Sequence, residues 1–232
     1  MDKRDIRGAV LAVRERIERA RLIRGGTGGD EVVLVAAAKS NSAEIVRRAI
    51  DAGVDAIGEN RAQEMRDKHA LGAYEGTLLH FIGRLQRNKV RNVVGIADLI
   101  QSVDSEALLR EIDRRAALLE IIQDLLFEIN IAGENSKGGI IPEQLPELMD
   151  MASGLRNIRV RGLMSIPPLS AETGGNSQWF AGMYKLFVDN KGKRYDNVSM
   201  DFLSMGMSGD FEDAISEGAN MVRLGTVIFG ER

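Results

Sequence analysis

Lys39 stands at the end of an unbroken apolar run, Val32-Val33-Leu34-Val35-Ala36-Ala37-Ala38. A run of this length, rich in β-branched residues, reads as a strand buried on both faces, as in a parallel sheet. Lysine is seldom buried without a partner. Burial at the carboxyl end of such a strand would lower its pKa and free the amine to attack a carbonyl carbon. The plainer reading is a strand that emerges into solvent with Lys39 at its exit; the segment alone leaves both open. A second set of residues lies near the other end of the chain, in Ser204-Met205-Gly206-Met207-Ser208-Gly209 and Arg223-Leu224-Gly225-Thr226. Glycines let backbone amides close on an anion, hydroxyls add donors, and a helix N-terminus adds a favourable dipole. The same glycines would serve equally in tight turns.

Patterning predicts the elements that must position these residues. Ile6, Val10, Val13, Ile17 and Ala20 form one helical stripe that ends before Gly25-Gly26-Thr27-Gly28-Gly29. Strands are predicted over 32–38, 54–58, 78–83, 98–103, 125–130, 158–166, 198–203 and 221–224. Helical patterns separate them: one capped by Ser42 and closed by Gly53, a polar one over 61–70, and a basic one over 86–95. Asp104 or Ser105 caps the next, to about Glu120, and Pro142 opens another whose apolar face is Leu145, Leu148, Met149 and Ala152. After a polar loop at 169–177, Trp179, Phe180, Met183 and Phe187 mark a core-packing helix face, and a last helix runs from Ser208 to Glu217. Eight strands alternating with helices, preceded by one extra helix, predict an α/β fold: a single (β/α)8 TIM barrel over residues 1–232. An open doubly wound sheet competes, but no Gly-x-Gly-x-x-Gly follows the first strand.

Composition narrows the function classes. A net charge of −3 provides no general attraction to nucleic acid or an anionic membrane. Cysteine is absent, which excludes disulfides and thiolate chemistry and suits a reducing compartment. Two histidines, His69 and His80, without ligand spacing argue against zinc. The charged start of the chain and the lack of a membrane-length apolar run point to the cytoplasm, with no membrane partner.

In a barrel, functional groups gather at the carboxyl ends of the strands, and phosphate often binds in the loops after strands seven and eight. Lys39 then neighbours Ser208, Gly225 and Thr226 across the seam. A lysine able to form a Schiff base beside a phosphate site suggests pyridoxal phosphate. From here the sequence resembles the pyridoxal phosphate homeostasis protein family, whose barrel is similar to the N-terminal domain of bacterial alanine racemase. The matching stretches are VAAAKS, AIGENRAQE, LHFIGRLQRNK, INIAGENSKGGI, RGLMSI, LSMGMSGDFEDAI and NMVRLGTVIFG, between residues 32 and 230.

The resemblance implies Lys39 as the Schiff-base lysine. It implies Ser208, Gly225 and Thr226 at the phosphate, Arg223 at the pyridine nitrogen and Asn60 beside the ring. One departure is local: the family usually carries serine before the lysine and often proline soon after, where this chain has Ala38-Lys39-Ser40-Asn41-Ser42. No residue is assigned a catalytic role and no metal site is expected. His80 reads as a packed, hydrogen-bonded strand histidine, and Lys137 as a solvated or salt-bridged loop charge rather than a second reactive amine. Arg84, Arg87, Lys89 and Arg91 read as a solvated face, since no aromatic residue interleaves for RNA stacking. Arginine keeps its proton, so Arg223 would leave the ring nitrogen unprotonated and the ring a weaker electron sink. Alanine racemases take one acid/base group from a second domain, and this chain is expected to end, at Arg232, with its barrel. The resulting expectation is a monomeric carrier that holds pyridoxal 5'-phosphate, buffers it and delivers it to apo-enzymes, with little or no catalysis. The alternative is a single-domain amino-acid racemase using the same cofactor.

Overall fold

A computed structural model describes residues 5–25, 31–134, 137–168, 174–193 and 195–231. Eight strands, all parallel, close into a barrel in chain order: β1 (Val33–Ala37), β2 (Ala56–Glu59), β3 (Leu78–Phe81), β4 (Leu99–Val103), β5 (Gln123–Ile129), β6 (Ile158–Ser165), β7 (Val198–Ser204) and β8 (Met221–Leu224). Pairing of Val33, Leu34, Val35 and Ala36 with Met221, Val222, Arg223 and Leu224 joins β1 to β8. The first functional segment thereby lies directly beside the last. Around the barrel run α1 (Ile6–Ile23), α2 (Ala43–Asp51), α3 (Ala62–Ala70), α4 (Glu106–Leu118), α5 (Leu145–Ser153), α6 (Ser177–Lys191), α7 (Phe211–Ser216) and the single turn α8 (Thr226–Phe229).

Strand alternation sorts the apolar residues into two layers. Val35, Ala56, Leu99, Leu126, Met164 and Met221 fill the barrel interior. Their neighbours in sequence, such as Leu34, Ile57, Ile100 and Val222, pack outward under the helices. The stripe Ile6, Val10, Val13, Ile17 and Ala20 is buried, and α1 packs against α2, α7 and α8. Ser42 caps α2, its side chain accepting from the Ile45 amide at 3.4 Å. Phe180, Met183 and Phe187 are buried on α6, with Trp179 half-buried beside them.

Two glycines are required by close approach. At Gly162 (φ 140°), where the pairing of β6 with β7 changes register, a Cβ would lie 2.0 Å from the Phe202 carbonyl oxygen. At Gly83, just past β3, a Cβ would lie 2.2 Å from the Asn60 carbonyl oxygen.

Some elements differ from expectation. The basic segment 86–95 is only a 3-10 turn, Arg87–Asn92. Its apolar residues are the β-branched Val90, Val93 and Val94, which together with asparagine favour a helix weakly. The helix expected from Ser208 begins at Phe211, because the Asp210 side chain takes the Met207 amide and holds a turn there. Residues 26–29 of the glycine-rich link, Asn135-Ser136, residues 169–173 of the polar loop and Arg232 lie outside the described residues.

Candidate functional site

Alternation carries the site residues to one end of the barrel. On β1, Val33 and Val35 point inward, and the same parity continues through Ala37 to Lys39. On β2 it runs from Ala56 through Gly58 to Asn60, and on β8 from Met221 through Arg223 to Gly225. Lys39, Asn60, Gly225 and Thr226 accordingly line one cavity of about 390 Å³, together with Ala37, Asn41, Phe229, Gly230 and Glu231. Asn41 and Phe229 were not foreseen; each lies within a few residues of one that was. Ser208 sits beside this cavity, its Oγ accepting from the amides of Gly225 at 3.2 Å and Val227 at 3.4 Å.

Lys39 is exposed, in the turn that follows β1. Of the two readings the sequence leaves open, the structure has the strand that emerges into solvent: β1 ends at Ala37, so Lys39 has left the sheet and reaches the cavity from its rim. Among the described residues the buried lysine is Lys68, on α3. Its Nζ donates to Glu59 Oε1 and Glu64 Oε1, each at 2.8 Å, and to the Ala38 carbonyl at 3.4 Å. Glu64 Oε1 also accepts from the Ser40 amide at 2.8 Å. The peptide groups on both sides of Lys39 are therefore held by one ionic cluster. Ser40 adopts φ 61°, a conformation costly for a residue with a Cβ, and this cluster over-determines it. Burial pushes the Glu59 carboxyl up, against the opposing pull of Lys68 and of Tyr74, whose hydroxyl donates to Glu59 at 2.9 Å.

Arg223 is 4% exposed and lies inside the barrel rather than on the cavity wall. Its Nη1 donates to Ser204 Oγ at 2.7 Å and its Nη2 to the Ser165 carbonyl at 2.9 Å. Burial lowers its pKa to about 10, opposed by the charges of Glu128 and Asp210, and it stays cationic at neutral pH. Glu128, at the end of β5, is 8% exposed, and burial together with Asp104 raises its pKa to about 7. Glu128 is not among the residues expected from sequence; its signal is a lone carboxylate in Leu125-Leu126-Phe127-Glu128-Ile129 at an inward position.

Other candidates are placed elsewhere. His80 is buried in the barrel, bonded through Nδ1 to Gln101 at 2.9 Å, and burial lowers its pKa to about 4. Tyr195 donates to Asp150 on α5 at 2.5 Å, ahead of β7, at the opposite end from the cavity. Lys137 pairs with Glu134 at 2.6 Å and donates to the Pro167 carbonyl at 2.7 Å. Arg84, Arg87, Lys89 and Arg91 are exposed. Among the described residues no His, Cys, Asp and Glu cluster could hold a metal ion, and no helix is long and apolar enough to cross a membrane.

Residues 12–232 match the family model described as alanine racemase, N-terminal domain. A protein of Aquifex aeolicus named pyridoxal phosphate homeostasis protein is 43% identical over 220 residues, covering 95% of each chain. One of the same name in Escherichia coli is 39% identical over 233 residues, covering 98% of this chain and 97% of that one. The solved structure of PipY from Synechococcus elongatus, with PLP bound, superposes with a TM-score of 0.78 at 33% identity, covering 93% of this chain and all of that one.

Proposed function

The chain belongs to the pyridoxal phosphate homeostasis protein family, and from that premise we propose that it binds pyridoxal 5'-phosphate at the barrel mouth and holds it in reserve rather than turning over a substrate. The observation that carries this reading is the convergence of Lys39, Asn60, Gly225 and Thr226 on one cavity of about 390 Å³. That volume lies within the range of small-ligand sites, roughly 300–1,000 Å³. The donor set also fits. Ser208 Oγ and the amides of Gly225 and Val227 already converge at 3.2 and 3.4 Å, bonds long enough to exchange for phosphate oxygens. Thr226 adds a hydroxyl at the cavity wall.

When bound, the cofactor supplies an aldehyde and an electron-withdrawing ring. Lys39 would supply the amine that holds the aldehyde, and Asn60 would lie beside the ring. Arg223 is the donor assigned to the ring nitrogen; a group that only donates leaves that nitrogen unprotonated, which favours retention over carbanion chemistry. His80 and Tyr195 are engaged by Gln101 and Asp150, and neither lines the cavity. In this reading the chain acts as a cytoplasmic monomer that passes its cofactor to apo-enzymes.

Borohydride reduction of the loaded protein, followed by peptide mapping, tests the reading. The pyridoxyl label is expected on the peptide containing Lys39; labelling confined to Lys137 or to scattered surface lysines overturns it. In the same preparation, solvent deuterium should not enter the α-carbon of added amino acids at rates near about 1 s⁻¹, the low end of ordinary turnover. Exchange at that rate replaces the carrier with the racemase alternative.

A further inference from the structure

Arg223 heads an ordered series of buried polar side chains that crosses the barrel interior. Its Nη1 donates to Ser204 Oγ at 2.7 Å, and Ser204 Oγ donates to Gln101 Oε1 at 2.7 Å. Gln101 Nε2 then lies 2.9 Å from His80 Nδ1 and 3.2 Å from Met221 Sδ. The four residues come from β8, β7, β4 and β3, and none is more than 4% exposed. A polar group in the middle of an otherwise apolar barrel is costly unless bonded.

The direction of every bond follows from the first. A guanidinium has donors and no acceptor, so Ser204 must accept from Arg223. Its single proton is then left for Gln101 Oε1. That bond fixes which way the Gln101 amide faces, and its NH2 is turned toward His80 and Met221. His80 Nδ1 must therefore accept, and the ring proton belongs on Nε2.

We propose that Ser204 and Gln101 are positioning residues for Arg223, and that the one-way series of hydrogen bonds they form locks His80, three bonds away, as its neutral Nε2–H tautomer. The consequence for the site rests on the reading of Arg223 as the cofactor's ring-nitrogen partner. A guanidinium held at Nη1 by Ser204 and at Nη2 by the Ser165 carbonyl cannot turn about its own bonds, so it meets the cofactor already oriented.

The test begins on 15N-labelled protein without cofactor. In the wild type, the Arg223 Nη protons should give separate, slowly exchanging signals, and His80 the nitrogen pattern of the Nε2–H tautomer. In Ser204→Ala the Gln101 amide loses its anchor; the Arg223 signals should coalesce and His80 should become a mixture of tautomers. Ser204→Thr keeps the hydroxyl and should restore both. A role limited to filling space would not move the His80 tautomer from a site two residues along the series. Finding Nδ1–H in the wild type, or an unchanged His80 in folded Ser204→Ala, overturns the proposal. Should Ser204→Ala not fold, the wild-type tautomer alone decides.

The second arm adds pyridoxal phosphate. Ser204→Ala should bind about tenfold more weakly, equivalent to 1.4 kcal/mol, with a shifted absorption band, and Ser204→Thr should return both. Undiminished binding and an unshifted band in Ser204→Ala overturn the link to the cofactor. If the wild type binds no pyridoxal phosphate while the tautomer results hold, the functional reading fails and the positioning of Arg223 stands.

Discussion

At the scale of single residues, Glu128 is a carboxyl held away from water near the mouth of the barrel. Its carboxyl lies beneath the backbone of Gly138, where a Cβ would stand 3.3 Å from Glu128 Oε1 and 3.7 Å from Asp104 Oδ2. Burial and the nearby Asp104 disfavour its charge, and Arg223 and Arg84 only partly compensate, leaving its pKa about 7. The folded state thus holds this proton more tightly than the unfolded chain does. The resulting stabilisation is complete below the unfolded carboxyl pKa, declines as pH rises toward 7, and is gone above it. Glu128→Gln cannot ionise. Its stability relative to wild type should therefore rise between pH 4.5 and 8 by about 3 kcal/mol. Urea unfolding of both proteins across that range checks this, and parallel pH profiles would refute it. Lys39 shows the converse: its type and position were plain in sequence, yet its exposure depended on β1 ending at Ala37.

At the scale of elements, the turn after β1 is held less by its own sequence than by α3. Lys68 and Glu64 are four residues apart and so share a face of that helix. The same Lys68 also meets Glu59, the last residue of β2, which is wholly buried. Removing the cation alone strands a carboxylate in the interior. Lys68→Met should cost about 3–5 kcal/mol. Combining it with Glu59→Gln removes the stranded charge, so the double variant should be more stable than the sum of the singles by about 1–3 kcal/mol. Equilibrium urea unfolding of the four proteins closes the cycle; additive losses would show that the pair is not coupled. The i,i+4 pairing was readable from sequence. That Glu59 faces α3 while Asn60 faces the cavity follows from strand alternation, and only once β2 is known to end between them.

At the scale of the whole molecule, the helices are bound to the barrel by one continuous outer core that extends from Ile6 on α1 to Phe229 on α8. Val10 is fully buried within it. Truncating it to alanine should cost roughly 1.5–3 kcal/mol. Because α1 shares that core with α7 and α8, the loss should appear as one shifted transition. Fluorescence of Trp179, the sole tryptophan, and far-ultraviolet circular dichroism should give the same midpoint; separate midpoints would reveal an independently folding part. The sequence by itself determined the strand and helix alternation, the stripe of α1 and the residue types at the strand ends, because periodicity and turn chemistry are local. Ser204, read from sequence as the start of the loop after the seventh strand, is instead the last residue of β7 and faces Gln101 across the interior. Closure decided the rest. Only when β8 pairs with β1 do Gly225 and Thr226 come to Lys39, and only across the interior of a closed barrel do Arg223, Ser204, Gln101 and His80 touch. The pairing of β1 with β8 and the bond from Ser204 to Gln101 join residues more than a hundred positions apart in the chain, and no local pattern encodes which strands will face one another.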